Sequence, residues 1–320
     1  MDRRKFIGAA FAASVTSAGG LENILPSEWL GTSTLFSRGR KATGLKPMAL
    51  GLMIQPSREA IALVKRLGFT NCFFSLDGYL GKFGKALADE FGGLLEKAGV
   101  TATTAEVVAP GRLVWDFLEG PSTIGLVPRE SRAARVDALK QTSDFAKLLG
   151  IPQIQTHCGF IPENPKDPLY GETVLAIREV ARYCAGNGQA FLMETGQETP
   201  TTLARTIKDV DQANLGVGLD TANLILYGKA NPADAVDILG PHVKSVHAKD
   251  GRWPTDPMKL GEEVLIGGGL VDFKAVFSKL KRAGYGGAIT IERETSGPQQ
   301  IEDVKQEKIY LERILADIEK

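Results

Sequence analysis

The chain has 320 residues, 38 of them basic and 38 acidic, so its formal net charge is zero. That balance leaves no polyanion-binding footprint and excludes nucleic acid as an expected partner. The length is ample for a large hydrophobic core, and the three cysteines, Cys72, Cys158 and Cys184, have no CxxC spacing, which indicates neither a disulfide framework nor a zinc cage.

The first residues read differently from the rest. Asp2–Arg3–Arg4–Lys5–Phe6–Ile7–Gly8 precedes a short apolar run, Ala9 to Val15, and then Thr16–Ser17–Ala18. A basic start, a short apolar run and a small-residue cleavage site predict a secretory signal over residues 1–18. Its paired arginines resemble a twin-arginine signal, which places the protein in the periplasm. The run is too short to span a bilayer, so no membrane association is expected once it is removed. Its loss takes away Arg3, Arg4, Lys5 and Asp2, leaving 35 basic and 37 acidic residues from 38 and 38. Residues 19–46, with scattered Ser, Gly, Thr and Pro and little periodicity, predict an N-terminal extension ahead of a catalytic domain over 47–320.

From Pro47 onward short apolar runs alternate with amphipathic stretches. Strands are predicted at Met48–Ile54, Phe69–Leu76, Val100–Val108, Pro152–His157, Gln189–Glu194, Leu215–Asp220, His242–His247 and Ala288–Glu292. Helices are predicted between them: Ser57 to Leu67, Phe83–Ala98, Arg129–Leu149, Tyr170–Asn187, Thr199 to Asn214, Asn231–Leu239, Val271–Ala283 and Ile301–Ile318, several ended by a glycine. Two long connections stand out. Residues 109–128 carry Trp115 and Phe117 and read as a loop that helps cover a pocket, and residues 249–270 end in Gly267–Gly268–Gly269, read as loop flexibility. Eight strands alternating with eight helices in about 270 residues predict an α/β protein, a (β/α)8 TIM barrel. An open doubly wound sheet binding a dinucleotide would place GxGxxG after its first strand, where none occurs.

In such a barrel the C-terminal strand ends converge on one mouth. Glu194, Asp220, His247 and Glu292 end the fifth to eighth predicted strands, separated by 26, 27 and 45 residues, one βα unit each. Each alone reads equally as a cap, a turn residue or a core histidine. Four on four successive strands point to one divalent ion, Mn, Mg, Co or Zn, since three carboxylates and an imidazole suit a hard or borderline cation. His157, ending the fourth strand, faces the same mouth and reads either as a substrate-binding residue or as one capped by backbone.

The runs Leu192–Met193–Glu194, Gly218–Leu219–Asp220–Thr221, Val246–His247–Ala248–Lys249–Asp250 and Thr290–Ile291–Glu292 occur in the order that resembles the xylose isomerase-like barrel superfamily, and within it the sugar phosphate isomerase/epimerase group. The resemblance covers about residues 47–318. It implies Glu194, Asp220, His247 and Glu292 as ligands of one metal, and Glu194 and Glu292 as catalytic acid and base on opposite faces of a small carbohydrate. It also implies substrate contacts for Lys249 and Asp250, and assembly as a homo-oligomer. The chemistry is self-consistent: a Lewis acid stabilises a developing enediolate while a carboxylate moves the proton beside the carbonyl. One position departs from the pattern. Asn223 stands where many epimerases of the group carry a substrate-contacting histidine, and it can hydrogen-bond a hydroxyl but not carry charge. A keto-sugar or keto-inositol dehydratase would need the same four ligands and is the close alternative. An endonuclease-IV-like phosphodiesterase or a non-catalytic sugar-binding barrel fits less well, the first because the chain has three histidines in all.

Overall fold

Helix starts along this chain share a local cause. Asp167, Thr199 and Asn231 each accept a hydrogen bond from a backbone N–H of the following turn, and each is followed by a proline at the first helical position. Ser57 and Asp272 cap two further helices in the same way. A computed structural model describes residues 47–319, within the compact unit Gly44–Lys320. The predicted signal and extension lie outside the described residues. No helix among the described residues is long and apolar enough to cross a membrane.

The strands are β1 (Leu50–Ile54), β2 (Asn71–Ser75), β3 (Thr101–Glu106), β4 (Gln153–His157), β5 (Ala190–Glu194), β6 (Leu215–Asp220), β7 (Val243–Ala248), β8 (Asp250–Arg252), β9 (Glu262–Val264) and β10 (Ile289–Ile291). The helices are α1 (Arg58–Arg66), α2 (Lys85–Ala98), α3 (Gly120–Thr123), α4 (Arg129–Leu148), α5 (Pro168–Gly186), α6 (Pro200–Val210), α7 (Asn223–Leu226), α8 (Pro232–Leu239), α9 (Phe273–Arg282) and α10 (Pro298–Glu319). Eight strands close in the order β1-β10-β7-β6-β5-β4-β3-β2, with all neighbours parallel. The protein is the (β/α)8 barrel that the alternation predicts. Buried Phe74, Ile154, Phe191, Leu219, Val246 and Ile291 line the sheet within the main apolar core.

The long connection after β7 differs from its prediction. It is an ordered antiparallel hairpin, β8 against β9, rather than an unstructured loop. Asp250 organises it: its two carboxylate oxygens accept from the backbone N–H groups of Gly251, Gly267, Gly269 and Val271. The triple glycine is therefore a donor cradle and not a flexible tether, and a Cβ at Gly269 would collide with the Asp250 carboxylate. The 109–128 connection is likewise held. Arg135, a buried side chain of α4, donates to the carbonyls of Pro110, Arg112 and Gly125 at 3.0, 3.1 and 2.7 Å. Asp116 accepts from the N–H groups of Leu118, Glu119 and Gly120.

Asp250→Ala strips four backbone donors of their acceptor, at about 1–3 kcal/mol for each that water cannot reach. Hydrogen exchange followed by mass spectrometry is expected to show protection lost first over residues 262–271, with a lowered melting temperature. Unchanged protection there would remove Asp250 from this role.

Candidate metal centre

Strand register brings the predicted ligands together. His247 pairs with Asp220 on one side and with Thr290 on the other, while His157 pairs with Glu194. Glu292 follows β10 directly and its N–H reaches Ala248 O. Side-chain hydroxyls tie the strand ends at this level. Thr195 Oγ1 donates to Asp220 O and accepts from Asp220 N, both at 2.9 Å. Thr221 Oγ1 donates to Lys249 O at 2.6 Å and accepts from Lys249 N at 3.2 Å.

His247 Nδ1 consequently stands 3.2 Å from Glu194 Oε1, 3.0 Å from Glu292 Oε2 and 3.9 Å from Asp220 Oδ2. One donor atom from each of the four residues lies within 4.8 Å of all the others. Ligand atoms at about 2.1 Å from a cation and roughly at right angles stand about 3 Å apart, so the cluster has the dimensions of a coordination sphere. Asp220 Oδ2 is buried and has no hydrogen-bond partner among the described residues. A carboxylate oxygen left bare in the interior is costly unless a cation meets it. The donor set, three carboxylates and one imidazole, fits a divalent ion of the hard or borderline kind.

The electrostatics point the same way. Burial disfavours charge on His247, but the Glu194 and Glu292 carboxylates outweigh it and raise the imidazole well above its ordinary value. Burial pushes Asp220 well above the usual carboxylate range, with Lys249 pulling the other way. Burial also opposes ionisation of Glu194 and Glu292. His157 and His247 nevertheless hold Glu194 well down, and Lys249 and His247 hold Glu292 at about 2. Without an ion the cluster recruits protons onto Asp220 and His247, and these are what a cation displaces.

Several neighbours orient Glu194. Gln155 Nε2 donates to its Oε2 at 3.0 Å and Asn223 Nδ2 to its Oε1 at 3.4 Å. A Cβ at Gly218 would occupy the place of the Gln155 amide, so this glycine of β6 makes room for the donor. His157 Nε2 lies 3.4 Å from Glu194 Oε2, and its Nδ1 lies 3.3 Å from Gln197 Oε1. His157 is thus bound to side chains rather than capped by backbone. Glu106 ends β3 beside His157, and one donor atom of each lies within 4.8 Å of one on its neighbour Glu194. Burial, reinforced by that neighbour's charge, pushes its carboxyl well above the usual range, so Glu106 holds the proton. The sequence reading missed Glu106 because it carried the third strand on to Val108, and it missed Gln155, whose only signal is its place two residues before His157 on an inward-facing strand.

The two residues after His247 part company. The Lys249 ammonium is 1% exposed and meets Glu294 Oε1 at 2.5 Å, Glu292 Oε2 at 3.6 Å and Asp220 Oδ2 at 3.9 Å. It offsets the carboxylates of the cluster. Asp250, assigned to substrate from the sequence, has both oxygens engaged by the hairpin backbone. That is a correction: Asp250 turns to the hairpin backbone, and Lys249, which joins the ligand cluster, is buried rather than exposed for substrate.

A cavity of about 310 Å³ opens onto the cluster, with Glu106, Trp115, His157, Asn223, Glu292 and Glu294 on its wall. A second cavity, about 350 Å³, involves Met48, Thr70, Lys308 and Leu315 and none of the clustered ligands.

Titrating the ion-free protein with Mn²⁺ is expected to release protons and to give tighter binding at pH 8 than at pH 6, because Asp220 and His247 must lose protons to bind. Calorimetry in two buffers of different ionisation enthalpy measures this, and an affinity independent of pH would contradict the arrangement.

The chain is similar to several known proteins. The xylose isomerase-like TIM barrel family matches residues 61–314. A crystal structure of a xylose isomerase domain protein from Planctomyces limnophilus is 31% identical with a TM-score of 0.77, covering 85% of this chain and 98% of that one. A D-psicose 3-epimerase from Clostridium cellulolyticum, solved with D-tagatose, is alike in fold alone, at 16% identity and TM-score 0.63 over 84% of this chain and 99% of its own. Two curated relatives match over shorter stretches. Uncharacterized protein MJ1311 of Methanocaldococcus jannaschii is 28% identical over 197 residues, 58% of this chain and 63% of its own length. Inosose dehydratase of Geobacillus thermodenitrificans is 29% identical over 117 residues, 32% of this chain and 38% of its own length. The match thus spans less than two thirds of either curated relative. On the profile match and the 31% identity across a whole solved barrel, the chain belongs to the xylose isomerase-like TIM barrel family.

Proposed function

We propose that the protein is a metal-dependent isomerase or epimerase of a small carbohydrate, acting by proton transfer at the carbon beside a carbonyl. The observation that carries this reading is the convergence of Glu194, Asp220, His247 and Glu292, with an Asp220 oxygen that accepts no hydrogen bond, beside a cavity that Glu292 lines. Those four residues would hold one divalent ion, Mn, Mg, Co or Zn. When bound, the ion supplies Lewis-acid polarisation of the substrate carbonyl, which makes the neighbouring C–H acidic enough to ionise.

The protein's own groups do the rest. Glu194 and Glu292 are held ionised, Glu292 at about 2, so both are in the basic form at neutral pH. Glu292 is 14% exposed and lies on the cavity wall, placed to take the proton. Glu194 lies deeper, aimed by Gln155 and Asn223, with the protonated Glu106 beside it. A carbohydrate bridging the two carboxylates loses a proton to one and regains it from the other. The small-molecule carbohydrate is the partner this site calls for. The N-terminal sequence supports work in the periplasm.

One observation favours the dehydratase alternative. Glu106 is a carboxyl kept protonated on the cavity wall, an acid positioned to protonate a departing β-oxygen, and a stretch of the chain matches an inosose dehydratase. Both reactions begin with the same proton abstraction.

Incubating unphosphorylated keto-sugars with the Mn²⁺-loaded protein in D₂O tests the reading. Exchange at the carbon beside the carbonyl is expected, and Glu194→Gln and Glu292→Gln should each reduce it by about 10²–10⁴-fold. Persisting exchange in both variants would refute the base roles. Product analysis separates epimerisation from elimination, and Glu106→Gln is expected to spare exchange while suppressing any elimination.

A further inference from the structure

We infer that the substrate is a neutral carbohydrate of at least two units, one held at the ligand cluster and the next stacked on Trp115. The inference rests on the carbohydrate reading of the cluster and adds the substrate class.

Charge gives the first half. Asp77, Glu106, Glu292 and Glu294 lie on the cavity wall, and among the described residues no lysine or arginine does. Lys249 is buried and answered by Glu294, Glu292 and Asp220. A phosphate or carboxylate on the substrate would meet the carboxylates of Asp77, Glu292 and Glu294, beside the protonated Glu106, with no cationic side chain on the wall to receive it, an electrostatic penalty that a neutral sugar escapes.

Trp115 gives the second half. Exposure rises outward from the floor: Asp220 0%, His247 1%, His157 9%, Trp115 42%. The indole sits at the rim, 4.9 Å from the His157 ring in an edge-on contact. Beside it Phe117 packs edge-on against Tyr227, which in turn meets Phe160. The backbone that carries the ring is held, since Arg135 and Asp116 fix the connection on either side of it. A large aromatic surface kept in water on a fixed support, next to a polar pocket, marks a recognition surface. The cavity, about 310 Å³, is near the lower end of small-molecule sites and accommodates a single ring. A ring that reaches the buried cluster leaves the outer part of the indole uncovered, and the apolar C–H face of a second unit covers it.

Calorimetric titration of the Mn²⁺-loaded protein with cellobiose, maltose, lactose and sucrose, against glucose, galactose, fructose and glucose 6-phosphate, tests this. At least one disaccharide is expected to bind about tenfold or more tightly than either of its monosaccharides, and glucose 6-phosphate no more tightly than glucose. Trp115→Ala should abolish the disaccharide margin and Trp115→Phe should keep most of it, with Mn²⁺ affinity unchanged in both. A margin that is absent, or that survives Trp115→Ala, overturns the inference, as does a preference for glucose 6-phosphate. If one Mn²⁺ binds per chain and the margin is absent, the two-unit inference falls while the metal-centre reading stands. If no Mn²⁺ binds, both fall.

Discussion

Three carboxylates packed around one imidazole, with almost no access to water, is the arrangement on which the rest of this structure depends. Like charges at such separations repel strongly in a low-dielectric interior, and burial penalises each of them again. The fold answers with Lys249, whose side chain is among the largest fully buried ones of the described residues, and with His157 and His247. Those groups come no nearer than 3.9 Å to Asp220 Oδ2 and leave it without a hydrogen bond. A protein keeps such a frustrated cluster at a place where something else completes it, and stability is given up locally for that purpose.

Rigidity around the cluster is built from backbone as much as from side chains. The Thr195 and Thr221 hydroxyls each donate and accept across a strand gap, so β5, β6 and β7 end at a common level. Gly218 leaves room for the Gln155 amide, which sets the orientation of Glu194. Groups that must hold geometry to within about half an ångström need this kind of support beneath them.

The barrel and its four candidate ligands were legible because both rest on repetition. Alternating strands and helices leave a periodic trace, and strand ends in a parallel barrel share one mouth whatever the sequence between them. The supporting residues leave no such trace. Glu106 reads as a polar interruption of a Thr-rich strand until the strand is seen to stop there. The hairpin β8–β9 has strands of three residues, too short for an alternation to register. Lys249 and Asp250 are neighbours in the chain with opposite destinations, because successive side chains of an extended segment point to opposite faces. Three of Asp250's four partners lie 17 to 21 residues downstream, beyond any local pattern. The predicted signal and extension over residues 1–46 belong to the part of the chain outside the described residues.

The Arg135 clamp on the 109–128 connection has a consequence for how a ligand arrives. A free segment of that length would lose about 1–2 kcal/mol of backbone entropy per residue on becoming ordered. Here that loss falls on folding, since a buried guanidinium already holds three of its carbonyls. A molecule entering the mouth therefore meets a wall already in place. Ordering of the backbone at those three carbonyls adds little to the cost of binding there.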